Sequence, residues 1–162
     1  MIALAKEFGL RTPYIYFVDT VRAEIVMEFI SGTRASKVLT SSICNEIGRF
    51  VSTLHLFNII HGDLTPANFI VNRKITMIDM GLSFHSTRRE DKAMDIRLFK
   101  EILKSTYHRN CSEFFGNFLD GYKSVNSKEL DKILQRIDEI ETRKRYAPTL
   151  ISGGLYNFFI VL

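Results

Sequence analysis

The sequence predicts an α+β fold in which helices supply the bulk and two small hairpins carry the chemistry. Two observations lead there. Apolar residues recur at helical spacing in three long segments, Thr40–Asn58, DKAMDIRLFKEILKSTY from Asp91 and SKELDKILQRIDEIETRKRY from Ser127, which gives each a single apolar face. Two pairs of short runs rich in β-branched and aromatic residues, YIYFVD with AEIVMEFI and FIV with ITMI, are each joined by a turn. At 162 residues and 46% hydrophobic, the chain can bury the core of one domain.

The elements follow in order. Met1–Phe8 has helical periodicity with Gly9 as its stop, and Arg11-Thr12-Pro13 breaks the chain into the first hairpin, whose turn lies at Thr20–Ala23. The Thr40–Asn58 helix can be capped by Ser41 or Ser42, and Ile43, Ile47, Phe50, Val51 and Leu54 share its apolar face. His55 has no second His or Cys at metal spacing and reads as structural. In the second hairpin Asn72-Arg73-Lys74 form the turn. Asp91 caps the next helix, with Ile96, Phe99, Ile102 and Leu103 on its buried face. Asp95 falls among them, either buried against backbone N–H groups or facing solvent. Two helices follow, CSEFFGNFLDGY and the run from Ser127, the latter with Leu130, Ile133, Leu134, Ile137 and Ile140 along one side.

Composition excludes little but bounds the rest. The chain is not of disordered composition, and no apolar run approaches the ~20 residues of a spanning helix. No signal peptide is visible. A net charge of +4 is compatible with phosphorylated ligands or RNA, yet proteins that bind neither carry as much. Cys44 and Cys111 frame no zinc site and no disulfide pattern, which favours a reducing compartment.

The chemistry concentrates in Ile59–Gly81, IIHGDLTPANFIVNRKITMIDMG. Asp63 and Asn68 stand five residues apart across Leu64-Thr65-Pro66-Ala67, a loop that puts both polar groups on one side, and His61 braces it. The hairpin then returns Asp79 towards Asn68. An acid and an amide oxygen so placed suit magnesium, a hard cation that prefers oxygen ligands and substrate phosphates, and Asp63 is left to accept a hydroxyl proton. Gly81 permits a sharp turn after Asp79. The ordered set matches the kinase pattern His-x-Asp-x-x-x-x-Asn followed by Asp-x-Gly. In such a fold Ser31-Gly32 marks the hinge, whose backbone groups meet an adenine edge. On pattern alone MEFISG is equally a strand end, and its position before Asp63 favours the hinge.

HGDLTPANFIV, ITMIDMGLS, EDKAMDIRLFK and IETRKRY, with EFGLRTPYIYFVD and IVMEFISG before them, resemble the small atypical protein kinase subunit of the KEOPS complex, the PRPK family. The likeness runs to about Tyr146. It implies a protein-kinase-like fold, mainly the helical C-lobe with a partial N-lobe: residues 1–30 as residual N-lobe and hinge, 31–146 as C-lobe, and 147–162 as a tail of unknown role. It also implies an atypical serine/threonine kinase or ATPase that assists threonylcarbamoyl-adenosine modification of tRNA, with ATP and magnesium as cofactors. Asp63 would be the catalytic base, Asn68 and Asp79 the magnesium ligands, Glu28 to Ile30 the adenine hinge, and Asp95 the brace of the loop. Implied partners are the tRNA-modifying catalytic subunit of the complex and a small regulatory subunit, in the cytoplasm or nucleus.

The resemblance accounts for the short run between Gly81 and Asp91, and for Thr65 where many protein kinases carry a Lys. The sequence departs from kinases in having no glycine-rich phosphate loop and no phosphate-binding Lys ahead of the first hairpin, so it is expected to bind ATP poorly as written. Met80 replaces the usual Phe. Arg143-Lys144-Arg145 can contact tRNA phosphates or complement a helix dipole. The apolar Ile151–Leu162 reads equally as a docking strand, a membrane-touching segment or mistranslated sequence. Two alternatives stay open: a catalytically impaired scaffold, and a small-molecule phosphotransferase of the aminoglycoside or choline kinase type. The EDKAMD segment and the short stretch from Cys111 to Tyr146 argue against the latter.

Overall fold

The computed structural model describes residues 1–146, with side chains through Thr142. The expectations placed on Arg143, Lys144, Arg145 and the apolar tail therefore lie outside the described residues. Helix α1 (Ile2–Glu7) stops at Gly9, which takes a φ of +79° that costs glycine little. Phe8 stacks on Phe57 with ring centroids 3.6 Å apart, which ties the end of α1 to the end of a later helix. Strands β1 (Ile15–Asp19) and β2 (Glu24–Met27) pair antiparallel. Their turn is closed by Asp19, whose Oδ1 accepts the N–H groups of Val21 and Arg22 at 2.9 and 3.0 Å.

Strand β3 (Thr33–Arg34) leads into helix α2 (Ser41–Leu56). The cap of α2 is Thr40, not Ser41 or Ser42: its Oγ1 accepts the Ile43 N–H at 3.3 Å while Thr40 itself stays extended. Ser41 is instead drawn away to hydrogen-bond Glu113. Strand β4 (Ile59–Ile60) follows, then the hairpin of β5 (Phe69–Asn72) and β6 (Lys74–Met77) with Arg73 alone at its tip, and strand β7 (Phe84–His85). The order β3-β5-β6 makes one small sheet, and β4 pairs with β7 in another. Neither β3 with β5 nor β4 with β7 is foreseeable from two-residue strands, which are too short to show a period.

Helix α3 (Arg89–Thr106) begins two residues earlier than expected. Asp91 lies inside its first turn, where it accepts the Ser86 hydroxyl at 2.6 Å and complements the positive end of the helix, rather than capping it. Ile96, Phe99 and Leu103 are buried as expected, while Ile102 is only half-buried. The two last helices join without a loop as α4 (Cys111–Tyr146), kinked at Asn126, whose Oδ1 accepts the Glu129 N–H and so restarts the helix.

The core lies where α2, α3 and α4 meet, around Ile47, Leu54, Phe99, Phe118, Tyr122 and Ile133. Helices α2 and α4 cross at two glycines. An added Cβ at Gly48 would lie 2.0 Å from the Phe118 carbonyl oxygen, and one at Gly121 would lie 2.0 Å from that of Asn45. Each backbone thus takes the space of the other's missing side chain. Burial raises the Cys44 thiol to about 12, with Glu113 adding to the effect, so it packs as a small apolar group rather than as a nucleophile. None of the described helices is long and apolar enough to cross a membrane.

Candidate functional site

The Ile59–Gly81 loop is anchored from below by one carboxylate. Asp95, 3% exposed on α3, accepts the backbone N–H of His61 at 2.6 Å and of Gly62 at 2.9 Å. On its other side Oδ2 meets His55 Nε2 at 3.2 Å, and His55 Nδ1 meets the Tyr122 hydroxyl at 3.0 Å. α2, α3 and α4 thus converge on the loop through a buried chain of hydrogen bonds, and the solvent-facing alternative for Asp95 is excluded. Burial holds the His55 imidazole below its ordinary value, more strongly than Asp95 raises it, and pushes the Tyr122 phenol up. His55 is structural, as its isolation in the sequence suggests.

Above this brace the chain turns sharply. Gly62 has φ +81°, and a Cβ there would meet the Leu82 carbonyl oxygen at 2.4 Å, so the loop lies directly against the segment after Gly81. The pairing of β4 with β7 fixes that approach. His61 Nδ1 accepts the Asp63 N–H at 3.2 Å, which is the bracing contact expected of it. Its Nε2 is buried without a partner among the described residues, and burial lowers its affinity for a proton.

Thr65 caps a 3₁₀ turn over Pro66–Asn68, with Oγ1 accepting the Ala67 N–H at 3.2 Å, and this turn brings Asn68 back to Asp63. Asn68 Nδ2 donates to the Asp63 carbonyl at 2.9 Å and to Asp63 Oδ2 at 3.3 Å. Its amide oxygen, Oδ1, makes no hydrogen bond among the described residues. The Asn68 carbonyl accepts the Ile78 N–H at 2.9 Å, so Asp79 begins one residue beyond the last rung of the hairpin. Asp63 and Asp79 are exposed and Asn68 is half-buried.

Asp79 Oδ1 accepts the Gly81 N–H at 2.9 Å, and buried Met80 anchors the turn between them. Gly81 is not in the left-handed region; a Cβ there would stand 3.3 Å from Asp79 Oδ1. The expected turn is there, closed by the Ser83 N–H on the Met80 carbonyl at 3.1 Å, and the glycine serves it by clearing space for the carboxylate rather than by a left-handed φ. Among the described residues no three His, Cys, Asp or Glu side chains converge as a metal site.

The segment expected as a hinge runs from β2 to β3. The Glu28 N–H donates to the Tyr14 carbonyl at 2.7 Å and its carboxylate accepts the Tyr14 N–H at 3.0 Å, while the Glu28 carbonyl and the Ile30 N–H make no hydrogen bond among the described residues. Glu28 and Ile30 border a cavity of about 350 Å³ that also reaches Thr76, three residues before Asp79. Gly32 passes so close to β5 that a Cβ would lie 2.6 Å from the Val71 carbonyl oxygen, and Asn72 Nδ2 donates to the Ser31 carbonyl at 3.1 Å. The segment is clamped to the hairpin that carries Asn68 and Asp79. The Gly32 contact has no signal in the sequence beyond the glycine itself.

No protein-family model matches the chain. A solved structure of WaaP in complex with acyl carrier protein superposes with a TM-score of 0.56 over 90% of this chain and 73% of that one, at 16% identity. The hairpin-framed loop and the helical bundle beneath it define a protein-kinase-like α+β fold. The "KEOPS complex subunit Bud32" of Pyrococcus abyssi is 36% identical over 151 residues, covering 88% of this chain and 69% of that subunit. The "Probable serine/threonine-protein kinase BUD32 homolog" of Archaeoglobus fulgidus is 33% identical and is covered over 76% of its length. The chain belongs to the Bud32 family, which is the resemblance its motifs carry. A "Probable bifunctional tRNA threonylcarbamoyladenosine biosynthesis protein" of Methanocaldococcus jannaschii is 40% identical over 147 residues, 90% of this chain but 27% of that longer protein. The chain thus spans about a quarter of such bifunctional relatives.

Proposed function

We propose that the chain is an atypical serine/threonine protein kinase or ATPase that uses ATP with magnesium and works in a KEOPS-type assembly for threonylcarbamoyl-adenosine modification of tRNA. The observation that supports this reading is the rung from Ile78 N–H to the Asn68 carbonyl at 2.9 Å, which ties the residue before Asp79 to Asn68 while Asn68 Nδ2 donates to Asp63. In this reading residues 1–30 supply part of an N-lobe and the hinge, and residues 31–146 the C-lobe.

Asn68 Oδ1 and the free oxygen of Asp79 are hard donors that fit magnesium, which when bound would neutralise charge on the phosphates. The chain's own residues do the rest. Asp63, oriented by the Asn68 amide and by its N–H on His61 Nδ1, accepts the proton of the attacking hydroxyl or water. The Glu28 carbonyl and Ile30 N–H offer an acceptor and a donor to an adenine edge. The proposed partners are the tRNA-modifying subunit of the assembly and a small regulatory subunit.

The test is magnesium-dependent ATP turnover by the chain, alone and with the tRNA-modifying subunit. Asp79→Ala is expected to abolish nucleotide-dependent metal binding. Asp63→Ala is expected to keep that binding and lose turnover by about 10²-fold or more, the scale of a general base. Equal loss of binding in both variants refutes the division of roles. Wild-type protein inert in both settings refutes the enzyme and leaves a scaffold.

A further inference from the structure

Four cationic side chains, Arg11, Arg49, Arg73 and Lys74, line one cavity of about 630 Å³. It sits at the tip of the β5–β6 hairpin, where Arg73 is five residues from Asn68, roughly 16 Å at ~3.3 Å per residue of strand. Three separate pieces of chain deliver the cations: the segment after α1, the middle of α2, and the hairpin tip. The fold, rather than a basic run in the sequence, gathers them. All four are exposed, and none makes an ion pair or side-chain hydrogen bond with another described residue. The lining holds one carboxylate, that of Glu46, against the four cations. Like charges held around one concavity raise its potential and attract an anion with distributed charge.

The floor of the cavity decides what kind of anion. Of its apolar lining, Phe50 and Ile75 are 5% and 6% exposed and already packed into the core, Leu10 is half-buried against it, and Val125 is 37% exposed. An acidic peptide that docks by apolar anchors finds little open apolar surface there beyond Val125. A phosphodiester backbone needs none, and three of the four cations are arginines, whose planar fork matches phosphate. Arg73 also holds φ +56° at the hairpin tip, where glycine or asparagine would sit with less strain.

We propose that this cavity is an accessory RNA-backbone site, in which Arg11, Arg49, Arg73 and Lys74 take neighbouring phosphates of a structured RNA. The choice of RNA rests on the tRNA-modification reading above, and is independent of turnover at Asp63. It places an RNA contact among the described residues, apart from the basic cluster at the end of α4.

The test is fluorescence anisotropy of a labelled unmodified tRNA transcript titrated with the full chain between about 50 and 200 mM salt. Arg49→Gln/Arg73→Gln/Lys74→Gln is expected to weaken binding at least about tenfold at the lower salt and to flatten the log affinity against log salt slope by about 2, from ~0.7–0.9 per lost phosphate contact. A control with three cations removed elsewhere, Arg22→Gln/Lys104→Gln/Lys128→Gln, is expected to keep the wild-type slope. Equal slopes in the two triple variants, no tRNA binding by wild type, or full displacement of tRNA by pyrophosphate at equal phosphate concentration each overturns the proposal. An acidic peptide that binds wild type more tightly than tRNA overturns it in favour of a protein partner. ATP turnover measured on the same preparations separates the two readings: inert protein that still binds tRNA through this cavity refutes only the enzyme.

Discussion

Removing the Asp95 carboxylate strands three donors at once. The His61 and Gly62 N–H groups and His55 Nε2 all converge on it, at 2.6, 2.9 and 3.2 Å, and His55, His61 and Asp95 are themselves buried. Each unsatisfied buried donor costs about 1–3 kcal/mol, so Asp95→Ala is expected to lose ~3–6 kcal/mol after partial relaxation. That is comparable with the whole stability of an ordinary domain, ~5–15 kcal/mol. Asp95→Asn keeps one acceptor oxygen and turns an NH₂ group towards the remaining donors, so about half that loss, ~1.5–3 kcal/mol, is expected. Urea unfolding of both variants measures the cost, and hydrogen exchange at His61 and Gly62 localises it. An Asp95→Ala protein within about 1 kcal/mol of wild type would refute the brace. So would unchanged protection of those two amides in the Asn variant.

Further outcomes follow from the packing and the titrating groups. Gly48→Ala and Gly121→Ala each drive a Cβ to 2.0 Å from a backbone carbonyl oxygen, which no side-chain rotation relieves. Chemical denaturation is expected to show losses of about 3 kcal/mol or more for each, the upper end of overpacking. Thr40→Ala removes the α2 cap and should cost ~1 kcal/mol. Its helical content by circular dichroism should change little. His55 and His61 are held below their ordinary 6.5 by burial, so as pH falls below that value the unfolded chain takes up protons that the native chain refuses. Stability is therefore expected to be level above 6.5 with respect to these groups and to decline below it, and a melting temperature flat from about pH 7.5 to pH 5.5 would contradict this. Gly62→Ala, forced into φ +81° against the Leu82 carbonyl, should reduce both stability and turnover.

How much of this the sequence shows depends on the range of the interaction. The α2 face, Ile47 through Leu54, is legible because a helix repeats its burial every few residues. The order His61, Asp63, Asn68, Asp79 is legible because the chemistry needs those types close along the chain. Asp95 is half legible: a polar residue on an apolar face announces itself, but only the fold shows that it meets His61 and Gly62. The α2 cap is misread because Thr40, Ser41 and Ser42 all have the right hydroxyl, and the choice rests on Glu113, 72 residues from Ser41, drawing that serine away. The Gly48–Gly121 crossing and the gathering of Arg11, Arg49 and Arg73 leave no local mark. They are properties of which elements meet in the fold.

Among the described residues the β1–β2 ribbon has no buried face. Every residue of β2 is exposed, and in β1 Tyr16 and Phe17, which point to opposite faces, are 67% and 59% exposed. Among the described residues its register is held by the Asp19 turn and the ladder, without a buried face to penalise slippage. The Glu28–Ile30 segment hangs between this ribbon and Gly32, which is pressed onto β5. One end of the expected adenine wall is stiff and the other soft, so its amides should exchange in a gradient: fastest in β2, slower through Ile30, slowest in β5. A ligand that grips this wall would have to supply the order that the ribbon lacks, and the entropy of that ordering would weaken its apparent affinity.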